Sequence, residues 1–461
     1  MVREEGLSGL LLGYFSSAML SGGPWLISIA TLALMSRILQ GDTALFAGLV
    51  VAVNLFSLCA VGPFQFALTR YLSDRLYAAD LERHTSAFVT SWLLAVAPAS
   101  CAFALLLVVT PLSWPWRIQA LALFGLTATI WMLLLFLGVV RAYRTLVLAF
   151  LLGNGVGVAA AYGMGILCLD SQWGMLVGYT SGQALLVALL LWVLFSEFPC
   201  SQLAWDEGAR QSLARFPSLT LGGGLYYLGI WVDKAYYRWL SPAPAEAVWL
   251  RSNPSYEQAA FLAQLTVLPA LAMFFLAVET EFFERFRDFF VEVGGGSSLA
   301  QIRRAKRRML EALGRGAWRL MWGQALVTLL ACLLAPCWMP AEAVDLGRVH
   351  TVGVYFQTML YFATVVLFYF ELYGESLAGI AVFSLGNLLL TPWLPAGWGY
   401  GAAALLGLVV SLVKLGQCLP SVDRLVFERQ PLALTDLAGL EGRPAAGGLG
   451  LVTWSRGGRL E

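Results

Sequence analysis

The sequence predicts an all-α polytopic membrane protein, with about twelve transmembrane helices of roughly 20 apolar residues each, in two six-helix lobes. Three observations predict it. Of 461 residues, 59% are hydrophobic and only 12% are charged, against roughly 25% in soluble domains. Mean hydropathy is +0.73. Lys and Arg crowd into alternate connections, the pattern that sets orientation in a bilayer.

The spans follow in order. The first is Leu10–Leu39. The stretch before it, Met1-Val2-Arg3-Glu4-Glu5-Gly6, lacks the basic start of a signal peptide, and the apolar run is too long for one. It reads as a retained first span. Spans two to six are Ala44–Leu68, Ala87–Pro111, Ile118–Val140, Thr145–Leu169 and Trp173–Phe195. The polar stretch Glu197–Arg215 then divides the chain. Spans seven to twelve are Phe216–Leu240, Tyr256–Phe282, Trp318–Pro336, Val352–Phe370, Leu377–Leu394 and Trp398–Cys418. The expected units are an N-terminal lobe at 1–200, a linker at 201–215, a C-terminal lobe at 216–420 with a basic loop at 284–316, and a tail at 421–461.

Orientation follows from the cations. With the N-terminus inside, inner connections hold Arg70, Arg75, Arg83, Arg141, Arg144, Arg210 and Arg215. The loop between spans eight and nine adds Arg285, Arg287, Arg303, Arg304, Lys306, Arg307, Arg308 and Arg315. Outer connections hold only Arg117, Arg251, Arg348 and Arg238. Both termini are therefore expected in the cytoplasm, which requires an even number of spans. The halves repeat weakly. Gly22-Gly23-Pro24 in span one and Gly222-Gly223-Gly224 in span seven occupy corresponding places, so spans one and seven are expected to face each other across one path.

Enzyme signals are missing. There is no Walker A loop and no HExxH zinc motif, and Gly153-Asn154-Gly155-Val156-Gly157 lies inside an apolar span, where small residues allow close helix packing. The seven cysteines form no CxxC pair, and the only histidines, His84 and His350, read as parts of polar connections. No catalytic residue, metal site or cofactor is expected, and no nucleic-acid partner.

The polar points inside spans are the candidate site. Asp233 and Lys234 stand towards the outer third of span seven. Sequence neighbours on a helix point about 100° apart, so they need not pair with each other. Asp233 shares a face with Tyr237, and Lys234 shares one with Arg238. One reading has Asp233 binding a cation or proton while Lys234 contacts substrate; the other is an interfacial charge cluster snorkelling outward. Tyr227, Asn54 and Glu279 complete the candidate transport path. Gly22, Gly23 and Pro24 mark a break or hinge, because proline removes a helix hydrogen bond. Glu281 is spaced to reach Arg285, and Arg70 to reach Asp74. After the break Gly294-Gly295-Gly296-Ser297-Ser298, the cations Arg303, Arg304, Lys306, Arg307 and Arg308 suit an amphipathic helix. It would serve either as an anchor at the anionic inner leaflet or as a cytoplasmic docking site.

Four strings together resemble the PelG family. They are Ser21-Gly22-Gly23-Pro24-Trp25-Leu26-Ile27-Ser28-Ile29, Thr69-Arg70-Tyr71-Leu72-Ser73-Asp74-Arg75-Leu76-Tyr77, Leu228-Gly229-Ile230-Trp231-Val232-Asp233-Lys234 and Val278-Glu279-Thr280-Glu281-Phe282-Phe283-Glu284-Arg285-Phe286. The resemblance departs at the start, where the family often has a longer lead-in, and after Leu432, where the Gly/Pro-rich tail looks extra. It implies a fold of the multidrug/oligosaccharidyl-lipid/polysaccharide flippase superfamily, with two lobes around a central cavity. It also implies export of Pel exopolysaccharide across the bacterial inner membrane for biofilm matrix. The implied partners are the lipid bilayer, the polysaccharide, a cytoplasmic glycosyltransferase (the synthase) and membrane-bound regulatory subunits of the Pel complex. On this reading the lobes meet along spans one, two, seven and eight, with Asp233 and Lys234 lining the cavity. Two alternatives share the architecture: a cation-coupled antiporter or flippase of lipid-linked oligosaccharides, and a membrane anchor for the synthase.

Overall fold

The computed structural model describes residues 44–78, 80, 82–138, 143–167, 171–199, 203–240, 253–277 and 281–429. Span one with Gly22, Gly23 and Pro24, and also Glu279, lie outside the described residues. Every regular element among the described residues is helical. The first half comprises α1 (Ala44–Tyr77), α2 (His84–Val108), α3 (Trp114–Leu137), α4 (Tyr143–Leu167) and α5 (Ser171–Glu197). A short helix, α6 (Glu207–Arg215), follows in the linker. Then come α7 (Pro217–Leu240), α8 (Pro254–Gln264), α9 (Val267–Ala277), α10 (Phe283–Gly294) and α11 (Leu299–Trp338). The chain closes with α12 (Val344–Tyr369), α13 (Tyr373–Leu390), α14 (Trp398–Cys418) and α15 (Val422–Arg429).

Ten described segments are long and apolar enough to cross a bilayer. At 24 residues, α7 is also long enough, but Asp233, Lys234 and Arg238 lower its hydropathy. Expected span one lies outside the described residues. The hydrophobic interior falls into two main clusters. One runs from Phe46 on α1 to Ala209 on α6, and the other from Ala263 on α8 to Val426 on α15.

Three expected spans change shape. Span eight is two helices, α8 and α9, because Pro269 cannot donate to the carbonyl one turn back. The Leu265 carbonyl left without that donor accepts from Leu268 N at 3.2 Å, and the Thr266 carbonyl at the break accepts from Gln324 Nε2 on α11 at 2.8 Å. Span nine begins far earlier than Trp318: α11 is one helix of 40 residues, about 60 Å long. Ser298 and Gln301 cap its start, and the left-handed Gly296 (φ +70°) turns the chain into it. Span ten begins at Val344, so His350 sits inside the helix, fully buried, and not in a polar connection.

Glycines set the closest helix contacts. A Cβ on Gly178 would lie 2.1 Å from Ala161 N, and one on Gly182 would lie 2.4 Å from Gly157 Cα. The glycine-rich run of α4 therefore packs directly on α5, as expected of small residues within a span. A Cβ on Gly223 would lie 2.2 Å from the Gly62 carbonyl oxygen. There α7 of the second half crosses α1 of the first, backbone against backbone.

Candidate functional site

The buried side of α7 is its Leu219, Gly222, Gly223, Tyr226, Gly229, Asp233, Lys234 and Arg238 face. The small residues admit α1 and α13, and the charges follow two turns later. Asp233 has no exposed surface and Lys234 only 7%. The snorkelling reading is therefore excluded for this conformation. Lys234 Nζ donates to both Asp233 oxygens at 3.1 Å. Helix geometry does not oblige the two to pair, and here they do. The long flexible lysine stem bends back across the helix, and a buried charge without a partner would be costly.

Four other helices complete the seat. On α8, Tyr256 donates its hydroxyl to Asp233 Oδ2 at 2.8 Å. On α13, Asn387 Nδ2 donates to Asp233 Oδ1 at 3.2 Å and to the Gly229 carbonyl at 2.8 Å. Thr391 donates to Asn387 Oδ1 at 2.7 Å, which sets the orientation of that amide. On α14, the Tyr400 ring lies under Lys234 Nζ, 4.3 Å from ring centre to nitrogen. Gln264 Nε2 fixes the Tyr400 hydroxyl at 3.1 Å. His350 of α12 stands between the rings of Tyr256 and Tyr400, at 4.9 and 5.7 Å, with neither ring nitrogen hydrogen-bonded.

The other candidate residues separate into distinct places. Tyr237 belongs to the seat, since its ring stacks on Tyr256 at 4.3 Å. Arg238 shares the buried side of α7 with Lys234 but turns to other partners: its Nη2 donates to the Gly48 carbonyl on α1 at 2.6 Å, and Nη1 lies 3.6 Å from Glu257 on α8. Tyr227 lies two turns below, packed against α1 at Gly62. Asn54 donates to its own helix at Val50 O, 2.9 Å, so nothing joins it to Asp233. Two carboxylates, Asp233 and Glu257, thus face two cations, Lys234 and Arg238, and the site is neutral without any added ion. The Asp233 oxygens already accept four hydrogen bonds, so a cation there would have to displace a donor. Among the described residues no group of three His, Cys, Asp or Glu is placed to hold a metal.

Sequence reasoning did not place His350, Tyr256, Tyr400 or Glu257 in this cluster. Span ten, placed too late, hid His350. Tyrosines carry no positional signal in a chain so rich in aromatics.

Away from this seat, Arg70 pairs with Asp74 at 3.2 Å, as spaced, and also with Glu371 of the α12–α13 turn at 2.6 Å. The buried Asp206 caps α6, accepts from Tyr71 at 2.8 Å, and pairs with Arg75 at 2.7 Å. Glu281 pairs with Arg315 and Arg319 and not with Arg285, which turns to Asp288 at 3.4 Å. The α10–α11 hairpin brings those α11 arginines closer than the local helical neighbour. Of the five expected docking cations, Arg303, Arg304, Arg307 and Arg308 are exposed. Lys306 is engaged by Asp423 at 2.8 Å and the Pro420 carbonyl at 2.7 Å.

The PelG family, described as exopolysaccharide exporter (EPS-E), matches residues 1–427. The chain belongs to the PelG family. No curated protein matches it. Solved structures similar to this PelG-family chain are transporters of the MATE type. A MATE crystal structure in complex with MaL6 has a TM-score of 0.59 at 12% identity, covering 90% of this chain and 96% of that one. The eukaryotic MATE transporter AtDTX14 has a TM-score of 0.57 at 14% identity, covering 89% and 96%. A transporter of the MOP superfamily from Pyrococcus furiosus has a TM-score of 0.55 at 11% identity, covering 90% and 96%. At such identities the likeness establishes the fold alone, which is shared with these MATE-type transporters. This PelG-family chain is a membrane transporter.

Proposed function

We propose that this chain exports Pel exopolysaccharide across the bacterial inner membrane, working with a cytoplasmic glycosyltransferase and membrane-bound regulatory subunits. Family membership supports the polysaccharide, and the fold supports a path between two lobes. The working lobes are 1–200 and 216–420, with both termini in the cytoplasm. The chain acts as a transporter and not as an enzyme.

The buried Asp233–Lys234 pair carries the mechanistic part of this reading. One side of α7 lies on α1 through Gly223 and Arg238, while the pair binds α7 to α8, α13 and α14 of its own half. The pair pins α7 to the second lobe. The seam with α1, where Tyr227 and Arg238 sit, is the place that parts when substrate passes. Asp233 and Lys234 thus act on the path through α7 and do not bind the sugar.

The test uses Asp233→Asn, Lys234→Met and the double variant, with membrane insertion and polymer secretion measured on each. Each single variant leaves one buried charge unbalanced and loses folded protein. The double variant is neutral and inserts, but secretes less polymer because α7 is no longer held to its lobe. Full secretion by a well-inserted double variant would sink the site claim.

A further inference from the structure

The inner part of α11 is a rigid arm. Its outer part, from Trp318 to Trp338, shows lipid a stripe of exposed Trp318, Trp322, Leu326, Leu329 and Leu333. Exposed tryptophans at the start of such a stripe mark the level of the membrane interface. The same unbroken helix runs on inward to Leu299. At 1.5 Å per residue, Arg308 lies about 15 Å and Arg303 about 22 Å beyond Trp318. The headgroup layer on one side of a bilayer is only about 5–8 Å deep. Even at a tilt of about 40°, the top of the usual range, these arginines stand clear of it by several ångströms.

The arm cannot fold back onto the membrane. Its Ile302 and Met309 are buried in a cluster with Phe289 and Val293 of α10 and Val422 and Val426 of α15. The Lys306–Asp423 ion pair ties it to α15. The opposite face carries Arg303, Arg304, Arg307 and Arg308, all exposed. Among the described residues none of the four has an ion-pair partner, although Arg304 Nε donates to the Ala300 carbonyl at 3.3 Å. Glu311 is the acid on that face, one turn further on. Arg303, Arg307, Glu311, Trp318 and Trp322 recur at helical spacing, so the arginine face points outward, below the lipid and away from the lobe interior.

We propose that this arginine face is the docking surface for an acidic face of a soluble cytoplasmic protein. Four like charges held on one rigid face, beyond the reach of headgroups, attract an acidic protein and cannot be neutralised by lipid. The proposal rests on the orientation given above and deepens the reading that a cytoplasmic synthase works with this chain.

Two measurements on the full chain in phosphatidylcholine nanodiscs test it without any export readout, so failure of the transport-path claim leaves the result intact. The first is accessibility of spin labels at positions 307 and 319 to a water-soluble and a lipid-soluble quencher. Position 307 is expected to behave as fully aqueous and position 319 as interfacial. A label at 307 in the headgroup zone would overturn the proposal in favour of anionic lipid. The second is binding of fluorescent poly-L-glutamate. The quadruple variant R303Q/R304Q/R307Q/R308Q is expected to bind about tenfold more weakly, with a smaller salt dependence, while R83Q on the other inner loop changes little. Equal binding by the quadruple variant would overturn it, as would salt-sensitive dimers of the free chain that the quadruple variant abolishes, which would assign the face to a second copy.

Discussion

Span seven and span nine both carry cations within one continuous helix, and they put them to opposite use. In α7 the charges are buried, and each has an opposite charge beside it: Lys234 with Asp233, and Arg238 with Glu257. In α11 the arginines at 303, 304, 307 and 308 are exposed and of one sign. The difference is solvent. Inside the bundle a charge must be compensated locally, so the neighbours are fixed and the site is neutral. Beyond the membrane water screens each arginine, so like charges can gather on one face and act outward. Burial makes a charge structural, and exposure leaves it available to a partner.

The comparison breaks most sharply at the buried pair. Asp233→Asn alone should destabilise the protein by about 3–5 kcal/mol, because Lys234 keeps its charge and loses its partner. Joint replacement of Asp233 and Lys234 should recover most of that, read as thermal unfolding of detergent-solubilised protein. A single variant as stable as the parent would mean that the pair is not buried in the working protein. Next come the glycines. Gly223→Ala places a Cβ 2.2 Å from the Gly62 carbonyl, so α1 and α7 must part at a cost of about 1–3 kcal/mol. Gly314→Ala on α11 meets nothing within 4 Å and should stabilise by up to about 1 kcal/mol through helix propensity. The same unfolding assay checks both signs.

Smaller effects are expected at exposed ion pairs. Glu281→Gln removes the contacts to Arg315 and Arg319, all three side chains being well exposed, and should change stability by less than about 1 kcal/mol. The smallest concerns α6. Hydrogen bonds from Arg210 and then Gln211 hold the Glu207 carboxyl down at about 2, below its ordinary 4.5. A depressed carboxyl adds stability above its unfolded value and loses it as pH falls from about 4.5 towards 2. The protection factors of α6 amides should therefore fall slightly over that window, while those of α7 stay unchanged.

Much of this was legible in the chain. Apolar runs of bilayer length located the spans, and the glycine run of span five correctly indicated close helix packing. The same counting misplaced elements where a local rule had a rival. Span eight breaks because Pro269 has no N–H for the Leu265 carbonyl, and Gln324, far along the chain, satisfies the Thr266 carbonyl at the same break. Span ten was started late because His350 looks polar, yet polarity does not end a helix whose backbone bonds continue. Glu281 found Arg315 across a hairpin and not Arg285 one turn away.

The sequence by itself determined the fold class and the family, because hydrophobic length and motif order are local properties of the chain. It also identified Asp233 and Lys234 as exceptional, since charge inside an apolar run is costly wherever it lies. Only the tertiary structure decided what those charges do. Tyr256, His350, Asn387 and Tyr400 come from four different helices, and no spacing along the chain could gather them around one ion pair. Likewise the cation count of the inner loop was plain from the start. That Lys306 turns inward to Asp423 while its neighbours face water was settled by the packing of α10, α11 and α15.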